Sequence, residues 1–221
     1  GTCENGQATV CRPDGGGYEQ YTCDATQGMT CTPGGCQGAC SWGALGESYV
    51  GCDYYPTVTL NNGIWKGFEY GIALSNLGET NAEVIVTRGD KELAKLDVAP
   101  GKLEVLKLPW VPELKGPDPN AMGQPQPPGD TKLVKQGAYR VRSNRPIAVY
   151  QFNPLDYKLT PPPAECPDPT NTGCFSYSND ASLLLPAHTL RRKYRPITWP
   201  SLGCKPAFFT ITAIADDTEV R

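Results

Sequence analysis

The chain has 221 residues, and its 24 glycines and 22 prolines favour short strands joined by turns over long helices. Its formal net charge of −3 gives no electrostatic basis for binding nucleic acid or an acidic membrane surface. The longest apolar runs, such as residues 181–187, are too short to span a bilayer. We therefore expect no nucleic-acid partner and no membrane span.

Cysteine is the most informative residue type in this sequence. The chain has ten cysteines but only one histidine, and it lacks the paired C-x-x-C knuckles of a zinc site. Cytosolic thiols are kept reduced, so a disulfide framework predicts a protein that is secreted or displayed on the cell surface. The cysteines predicted to form disulfides are Cys3, Cys11, Cys23, Cys31, Cys36, Cys40, Cys52, Cys166, Cys174 and Cys204.

Residues 1–55 differ in composition from the rest of the chain. They hold half of the glycines, a single basic residue (Arg12) and no apolar periodicity. Such a segment buries too little apolar surface to fold unaided. We predict a small cystine-rich module stabilised by bridges of roughly 2–4 kcal/mol each. The sequence does not choose among the pairings within it.

Two bridges follow from position and parity. Cys166 and Cys174 flank a stretch rich in Pro, Asn and Gly, and we predict that they close this loop. Seven cysteines precede residue 53 and three follow it, so full pairing needs a bridge between the two zones. The simplest remaining bridge joins Cys52 to Cys204. The alternative is that Cys204 pairs with a cysteine beyond this chain.

Residues 56–204 have the alternation of strands. Apolar residues recur at every second position around residues 68–74 and 84–88, with Gly, Asn, Asp and Pro in between. Residues 138–143 and 147–152 read as two strands separated by a turn. The Pro-rich segments 109–130 and 160–173 are predicted loops, of which the first is a binding loop, a mobile insertion or a solvated spacer.

The last segment, residues 205–221, repeats the strand, polar turn and strand of residues 68–86. We therefore expect it to begin a second β unit that continues beyond this chain. Further residues of the same polypeptide, or a neighbouring copy, would pair with residues 208–221. The predicted fold class is all-β: antiparallel β-sandwiches, the second one truncated, preceded by the small disulfide-rich module.

Several segments resemble the IgGFc-binding protein N-terminal domain family, over roughly residues 50–221. The segments that carry the resemblance are Cys52-Asp53-Tyr54-Tyr55, Gly67–Tyr70, Leu74–Asn76, Val98–Gly101, Gly137–Val141, Pro146–Pro154 and Ser178–Pro186. Those around Tyr150 and Asn179 are the most specific. The resemblance implies a β-rich extracellular interaction domain, as in bacterial Cys-rich exported members. It implies no catalytic or ligand-binding residues, and the Fc binding of the namesake is not carried over.

Three sets of residues are candidate sites. Trp110 lies in the first Pro-rich loop, where an exposed indole could stack on a sugar or anchor a protein partner. Arg191, Arg192, Lys193, Tyr194 and Arg195 form a basic and aromatic cluster that could bind acidic glycans, although such a cluster is more often a solvated loop. Asp216, Asp217 and Glu219 could bind calcium, but ordinary turn formation is the favoured interpretation.

No catalytic motif surrounds His188, so we predict that the protein is not an enzyme and uses no cofactor. The predicted function is a non-enzymatic extracellular binding, adhesion or structural assembly module of a larger exported protein, with a protein or glycan partner. The alternative is a carbohydrate-binding or glycoside-hydrolase-type domain acting on extracellular glycans, because paired carboxylates leave no local motif.

Overall fold

The computed structural model describes residues 1–167, 174–201 and 207–221. The strands of the amino-terminal part are β1 (Thr2–Glu4), β2 (Gln7–Cys11), β3 (Tyr18–Thr22), β4 (Thr30–Thr32) and β5 (Gly35–Gln37). The larger part contains β6 (Gly51–Tyr54), β7 (Tyr70–Ser75), β8 (Ala82–Arg88), β9 (Lys91–Val98), β10 (Leu103–Leu108), β11 (Arg140–Phe152), β12 (Lys158–Leu159), β13 (Cys174–Phe175) and β14 (Ala181–Leu183). The helices are α1 (Trp42–Leu45) and α2 (Pro112–Lys115). The all-β prediction is therefore confirmed.

The 13-residue strand β11 organises the larger part. Its first half pairs with β8 on one side and β6 on the other, and its second half pairs with β7 and β14. All four pairings are antiparallel, and β9 and β10 extend the two halves beyond β8 and β7. The seven strands therefore form one nearly closed antiparallel sheet that is folded about a shared strand.

The apolar core lies inside this folded sheet. Alternate residues of the strands supply it, as the sequence predicts for half-buried strands. Its fully buried side chains include Tyr54, Tyr70, Ile72, Leu74, Val84, Val86, Val98, Val141, Ile147 and Val149. Burial of this kind is worth about 1.5–3 kcal/mol for each large aliphatic side chain, so this cluster is the main source of stability.

The predicted turn at residues 144–146 is wrong, because β11 runs through it as a continuous strand. The ladder to β8 ends at Ser143, the ladder to β7 begins at Ala148, and the register to β6 shifts between Arg142 and Ile147. The missing N–H of Pro146 therefore costs no ladder hydrogen bond. The sequence signal of a turn marks the irregularity at which the strand passes from one half of the sheet to the other.

Three disulfides fasten the amino-terminal part, between Cys3 and Cys31, Cys23 and Cys36, and Cys40 and Cys52. The predicted Cys52–Cys204 bridge is wrong, since β6 places Cys52 against Cys40, with 5.7 Å between their Cα atoms. The predicted Cys166–Cys174 bridge is present. Cys11 is exposed and unpaired among the described residues, and Cys204 lies outside them.

Polar contacts attach the amino-terminal part to the folded sheet. The buried side chain of Gln27 donates a 2.9 Å hydrogen bond to the carbonyl of Cys52, and Asp24 lies 3.3 Å from Arg142 on β11. Burial by itself raises the pKa of Asp24, but hydrogen bonds from Thr26 and the charge of Arg142 outweigh it and hold this pKa below its usual value. The ionised carboxylate therefore favours the docked arrangement at neutral pH.

Residues 207–221 contain no strand, so the strands predicted within 208–221 are not formed. No backbone hydrogen bond joins residues 208–221 to another part of the chain that the structure describes, which is the physical reason. The segment touches the sheet through Thr212, whose hydroxyl lies 2.7 Å from that of Thr57. The predicted polar turn at Asp216 and Asp217 is present.

The first Pro-rich loop is partly ordered by α2 and by the buried side chain of Val111. Pro112 occupies the first turn of α2, where its missing N–H leaves no bond unmade. Among the described residues, no helix has the length and apolarity needed to cross a membrane.

Exchange of Cys40 and Cys52 for alanine together tests the revised pairing. We expect the free energy of unfolding to fall by about 2–4 kcal/mol, because the bridge restricts the unfolded chain. Cys11→Ser is the matched control and should change stability by less than about 0.5 kcal/mol, since Cys11 is exposed and unpaired among the described residues. Denaturant titration without reductant measures both, and an unchanged stability of the Cys40 and Cys52 double variant would contradict the pairing.

Candidate functional site

One shallow depression on the described surface has a volume of about 260 Å³. Its lining consists of Val50, Asn76, Leu77, Gly78, Thr80, Arg145 and Pro146, with no carboxylate among them. Asn76 is fully engaged: its amide donates to the carbonyls of Thr80 and Val98, and its oxygen accepts from Gly78 N–H. This amide therefore holds two loops together beside the depression.

A cluster of three aromatic side chains is the stronger candidate site. We call Tyr157, Phe175 and Tyr177 the aromatic corner. Tyr177 stacks on Phe175 with 5.4 Å between ring centroids and 20° between planes, and Tyr157 stands at 89° to Tyr177. Tyr157 is 48% exposed and Tyr177 is 75% exposed. Large exposed rings held against each other are characteristic of contact surfaces for ligands or partners.

Backbone hydrogen bonds fix the aromatic corner in place. The short ladder of β12 with β13 sets Lys158 opposite Phe175. Ser176, which is 4% exposed, donates from its N–H to the carbonyl of Tyr157 (2.8 Å) and from its hydroxyl to that of Asp156 (2.7 Å). A buried serine between two aromatic residues therefore turns both rings toward the solvent.

A second apolar cluster contains Cys174, which directly precedes the aromatic corner residue Phe175. The Cys166–Cys174 disulfide packs with Ile64 and Phe68, separately from the main core. This disulfide closes a short loop directly before Phe175, so it restricts the segment that carries two of the three rings. The aromatic corner is consequently a preorganised part of the fold.

Tyr177 has a left-handed backbone, with φ of +55°. An L-residue with a side chain is disfavoured in this region by about 1–2 kcal/mol relative to glycine. Strain of this kind persists where the surrounding structure requires it, and it is concentrated at functional sites. The chain therefore keeps a large exposed ring at a position that glycine would occupy more easily.

Two lysines in the region of the aromatic corner, Lys158 and Lys107, are engaged by neighbouring groups. The ammonium of Lys158 lies 4.9 Å from the centre of the Phe175 ring, a cation–π arrangement. Lys107 forms ion pairs with Glu69 and, at 3.8 Å, with Asp156. The hydrogen bond to Glu69 raises the pKa of Lys107, which keeps that amine charged. Both lysines therefore already have partners: carboxylates for Lys107 and an aromatic ring for Lys158.

Trp110 is half-buried and packs between two apolar clusters. Its indole N–H donates a 2.6 Å hydrogen bond to the carbonyl of Phe68, and its ring packs 6.0 Å from that of Tyr70. It contacts both the main core and the second apolar cluster. Trp110 is therefore a half-buried packing residue that joins the two clusters, and its role as a binding residue stays a prediction.

The basic cluster, in contrast, is fully exposed. Arg191 lies 3.3 Å from the exposed Glu47, and its N–H donates a 2.8 Å hydrogen bond to the hydroxyl of Tyr194. The segment carries no strand and no helix beyond the turn that ends at Thr189. It agrees with the solvated-loop interpretation, and its binding role stays a prediction.

The candidate calcium ligands Asp216, Asp217 and Glu219 do not come together as a metal site. Glu219 is engaged by Arg221 through two hydrogen bonds of 2.9 and 3.0 Å, on the exposed terminal turn. Within residues 1–167, 174–201 and 207–221, no three His, Cys, Asp or Glu side chains come together in a way that could hold a metal ion. Asp216 and Asp217 lie in the turn itself.

His188 packs beside β6 and not in a cleft. Its Nε2 atom is buried without a hydrogen-bond partner among the described residues, and burial lowers the pKa of its ring. Any Cβ added at Gly51 would come within 2.9 Å of the His188 ring, so this glycine allows the close approach.

Sequence reasoning missed the aromatic corner. The local signal is Cys174-Phe175-Ser176-Tyr177, in which two aromatic residues alternate with a small one directly after a disulfide. Tyr157 is 18 residues earlier than Phe175, and only the ladder of β12 with β13 brings it close. The alternation of aromatic and small residues after Cys174 is visible in the sequence. The contact with Tyr157 is not, because it depends on the pairing of β12 with β13.

Comparison with known proteins gives no identification: no family model, curated protein or solved structure matches the chain. The resemblance to the IgGFc-binding N-terminal family therefore stays a prediction from the sequence.

Paired variants at position 177 test the backbone strain. We expect Tyr177→Gly to be more stable than Tyr177→Ala by about 1 kcal/mol, because glycine adopts the left-handed backbone without a steric cost. The same pair at Tyr157, which has no positive φ, is the control and should show glycine as the less stable variant. Denaturant unfolding measures both differences. Equal stability of the two variants at 177 would contradict the interpretation.

Proposed function

We propose that this protein is a non-enzymatic extracellular binding module of an exported protein, and that the aromatic corner is its ligand-contact surface. The observation that carries the proposal is the rigid exposure of Tyr157 and Tyr177. Rings that are already fixed lose little conformational entropy on binding, so more of the contact energy becomes affinity.

The four disulfides support an extracellular location. Bridges of this kind form and persist outside the cytosol, and small domains with few apolar contacts depend on them. The three in the amino-terminal part hold β1–β5, whose strands contribute only a few buried side chains. An oxidising environment is therefore the setting in which this fold is most stable.

The character of the concave surface supports binding over catalysis. A glycosidase needs two carboxyl groups facing each other across a cleft. The shallow depression has none in its lining, and its one buried polar side chain, Asn76, is used to hold loops. The aromatic corner offers contact area and hydroxyl groups but no nucleophile matched with a base.

A specific observation favours structural assembly as a second candidate function. Residues 208–215 are predominantly apolar and uncharged, and no backbone–backbone hydrogen bond joins them to another described residue. Phe209 and Ile211 are mostly exposed. Such a segment can add to the free edge of a sheet in a neighbouring copy, where main-chain hydrogen bonds supply the affinity.

The binding function is tested with a double variant, Tyr157→Ala with Tyr177→Ala. We expect the native protein to bind at least one probe on an array of neutral polysaccharides, sulfated polysaccharides and extracellular proteins, and the variant to lose at least about ten-fold in affinity. We also expect the chain length of each polysaccharide probe to be unchanged after prolonged incubation, because the proposed function includes no cleavage.

The matched control is Arg191→Ala with Arg192→Ala, at two exposed residues of the basic cluster. This variant should bind normally. Loss of binding in the arginine variant alone would move the site to the basic cluster, and absence of any binding by the native protein would contradict the function.

Assembly is tested by Thr212→Pro, which removes one backbone N–H from the unpaired segment. If residues 208–215 pair with a neighbouring copy, sedimentation should show concentration-dependent oligomers for the native chain and monomers for the variant. The control is Ile197→Pro, in another exposed segment without regular structure, which should leave oligomers intact. A native chain that stays monomeric at high concentration would refute this candidate.

A further inference from the structure

We infer that the aromatic corner binds a neutral, β-linked glucan-type polysaccharide by stacking one pyranose ring on Tyr177. The inference rests on the proposed binding function and specifies its ligand class. It is carried by four properties of the aromatic corner: the free face of Tyr177, the perpendicular Tyr157, the hydroxyl groups of both, and the engagement of Lys107 and Lys158 by neighbouring groups.

Tyr177 has one covered face and one open face. Phe175 stacks on the ring at 5.4 Å, yet the residue is still 75% exposed. Contact with Phe175 on one side therefore leaves the other side available to a flat ligand of similar size. The backbone at Tyr177 is strained in the absence of ligand. Ligand binding therefore does not have to supply the free energy that holds the ring in its exposed position.

Tyr157 lies beside the stacked rings of Phe175 and Tyr177. Its ring is perpendicular to Tyr177, at 89° and 5.9 Å. Tyr157 is also 5.6 Å from Phe175, so it lies beside the stacked pair and enlarges the exposed aromatic surface next to Tyr177. Both tyrosines are exposed, so their phenol hydroxyls can meet the polar rim of a ligand.

A pyranose of the β-gluco type fits this combination of surfaces. Its ring substituents are all equatorial, so each face presents only C–H groups and the hydroxyls form a polar rim. The C–H face suits an aromatic platform, and the rim suits the two phenol hydroxyls and the charged residues beyond them. A protein partner would need a contact of about 800 Å² with an apolar centre, which three rings bordered by Asp156, Lys158 and Lys107 do not supply.

The surrounding charges favour a neutral ligand over an anionic one. Lys107 is held by Glu69 and Asp156, and the ammonium of Lys158 faces the Phe175 ring. A sulfated or uronic polysaccharide would have to compete with these contacts and would meet two carboxylates. The basic cluster at residues 191–195 is the surface that would attract an anion, so the two ligand classes are separable by experiment.

The experiment titrates cellohexaose into the full chain and follows binding by calorimetry and by NMR of labelled tyrosine. We expect saturable binding that changes little between about 50 and 500 mM salt, because no ion pair is formed. Tyr177→Ala should weaken binding roughly ten-fold or more, in line with the loss of one ring-stacking contact. Tyr177→Phe keeps the ring and should retain most of the affinity.

Controls separate this inference from the general function. Tyr194→Ala, at an exposed tyrosine of the basic cluster, should bind cellohexaose normally. Maltohexaose, whose α-linkages do not extend a flat face, should bind more weakly than cellohexaose. Circular dichroism confirms that each variant is folded, and Tyr177→Gly, which relieves the strain but removes the ring, should lose binding as Tyr177→Ala does.

Two results would overturn the inference. The first is binding of an extracellular protein or a sulfated glycan on the array without binding of cellohexaose. This result would agree with the proposed binding function but would show that a neutral glucan is not the ligand. Binding of cellohexaose that is unchanged in Tyr177→Ala would remove the aromatic corner as the contact surface.

Discussion

The hydrogen-bond ladders along β11 are the constraint on which the rest of the structure depends. The first half of this strand pairs with β8 and β6, and the second half pairs with β7 and β14. Residues 144–146 carry no ladder bond, so the strand changes neighbours there at little energetic cost. The pairing with β6 in turn brings Cys52 to Cys40, which fastens the amino-terminal part to the same strand.

The end of β11 also places the aromatic corner. Directly after the strand, the Asn153 amide donates to the carbonyl of Thr59, and its own carbonyl accepts from the Asn61 amide. Leu155 N–H then donates to the carbonyl of Glu69 at 2.7 Å. These bonds hold the chain against the body of the domain just before Tyr157. The disulfide and Trp110 support the same region from the core, so the exposed rings stand on a rigid base.

Tyrosine serves two different purposes in this chain. Tyr54, Tyr70 and Tyr139 are buried, and the hydroxyl of each donates to a specific acceptor: the carbonyl of Ile147, the side chain of Gln151 and the carbonyl of Pro109. Burial raises the pKa of the Tyr54 and Tyr70 hydroxyls, which keeps both protonated as donors. The tyrosines of the aromatic corner are exposed, which is the arrangement expected for a contact surface and not for a core.

The sequence by itself determined what depends on local pattern: the all-β class through alternation of apolar residues, the Cys166–Cys174 bridge through its short loop, and the turn at Asp216 and Asp217. Tertiary structure alone decided what depends on pairing between distant segments. Cys52 pairs with Cys40 because β6 pairs with β11. Trp110 packs between two apolar clusters. Residues 208–215 form no strand because no described segment pairs with them. The aromatic corner belongs to this second group, since the β12–β13 ladder unites rings that are far apart in sequence. Alternation fixes which residues face inward, but the partner of a strand is chosen by the whole fold.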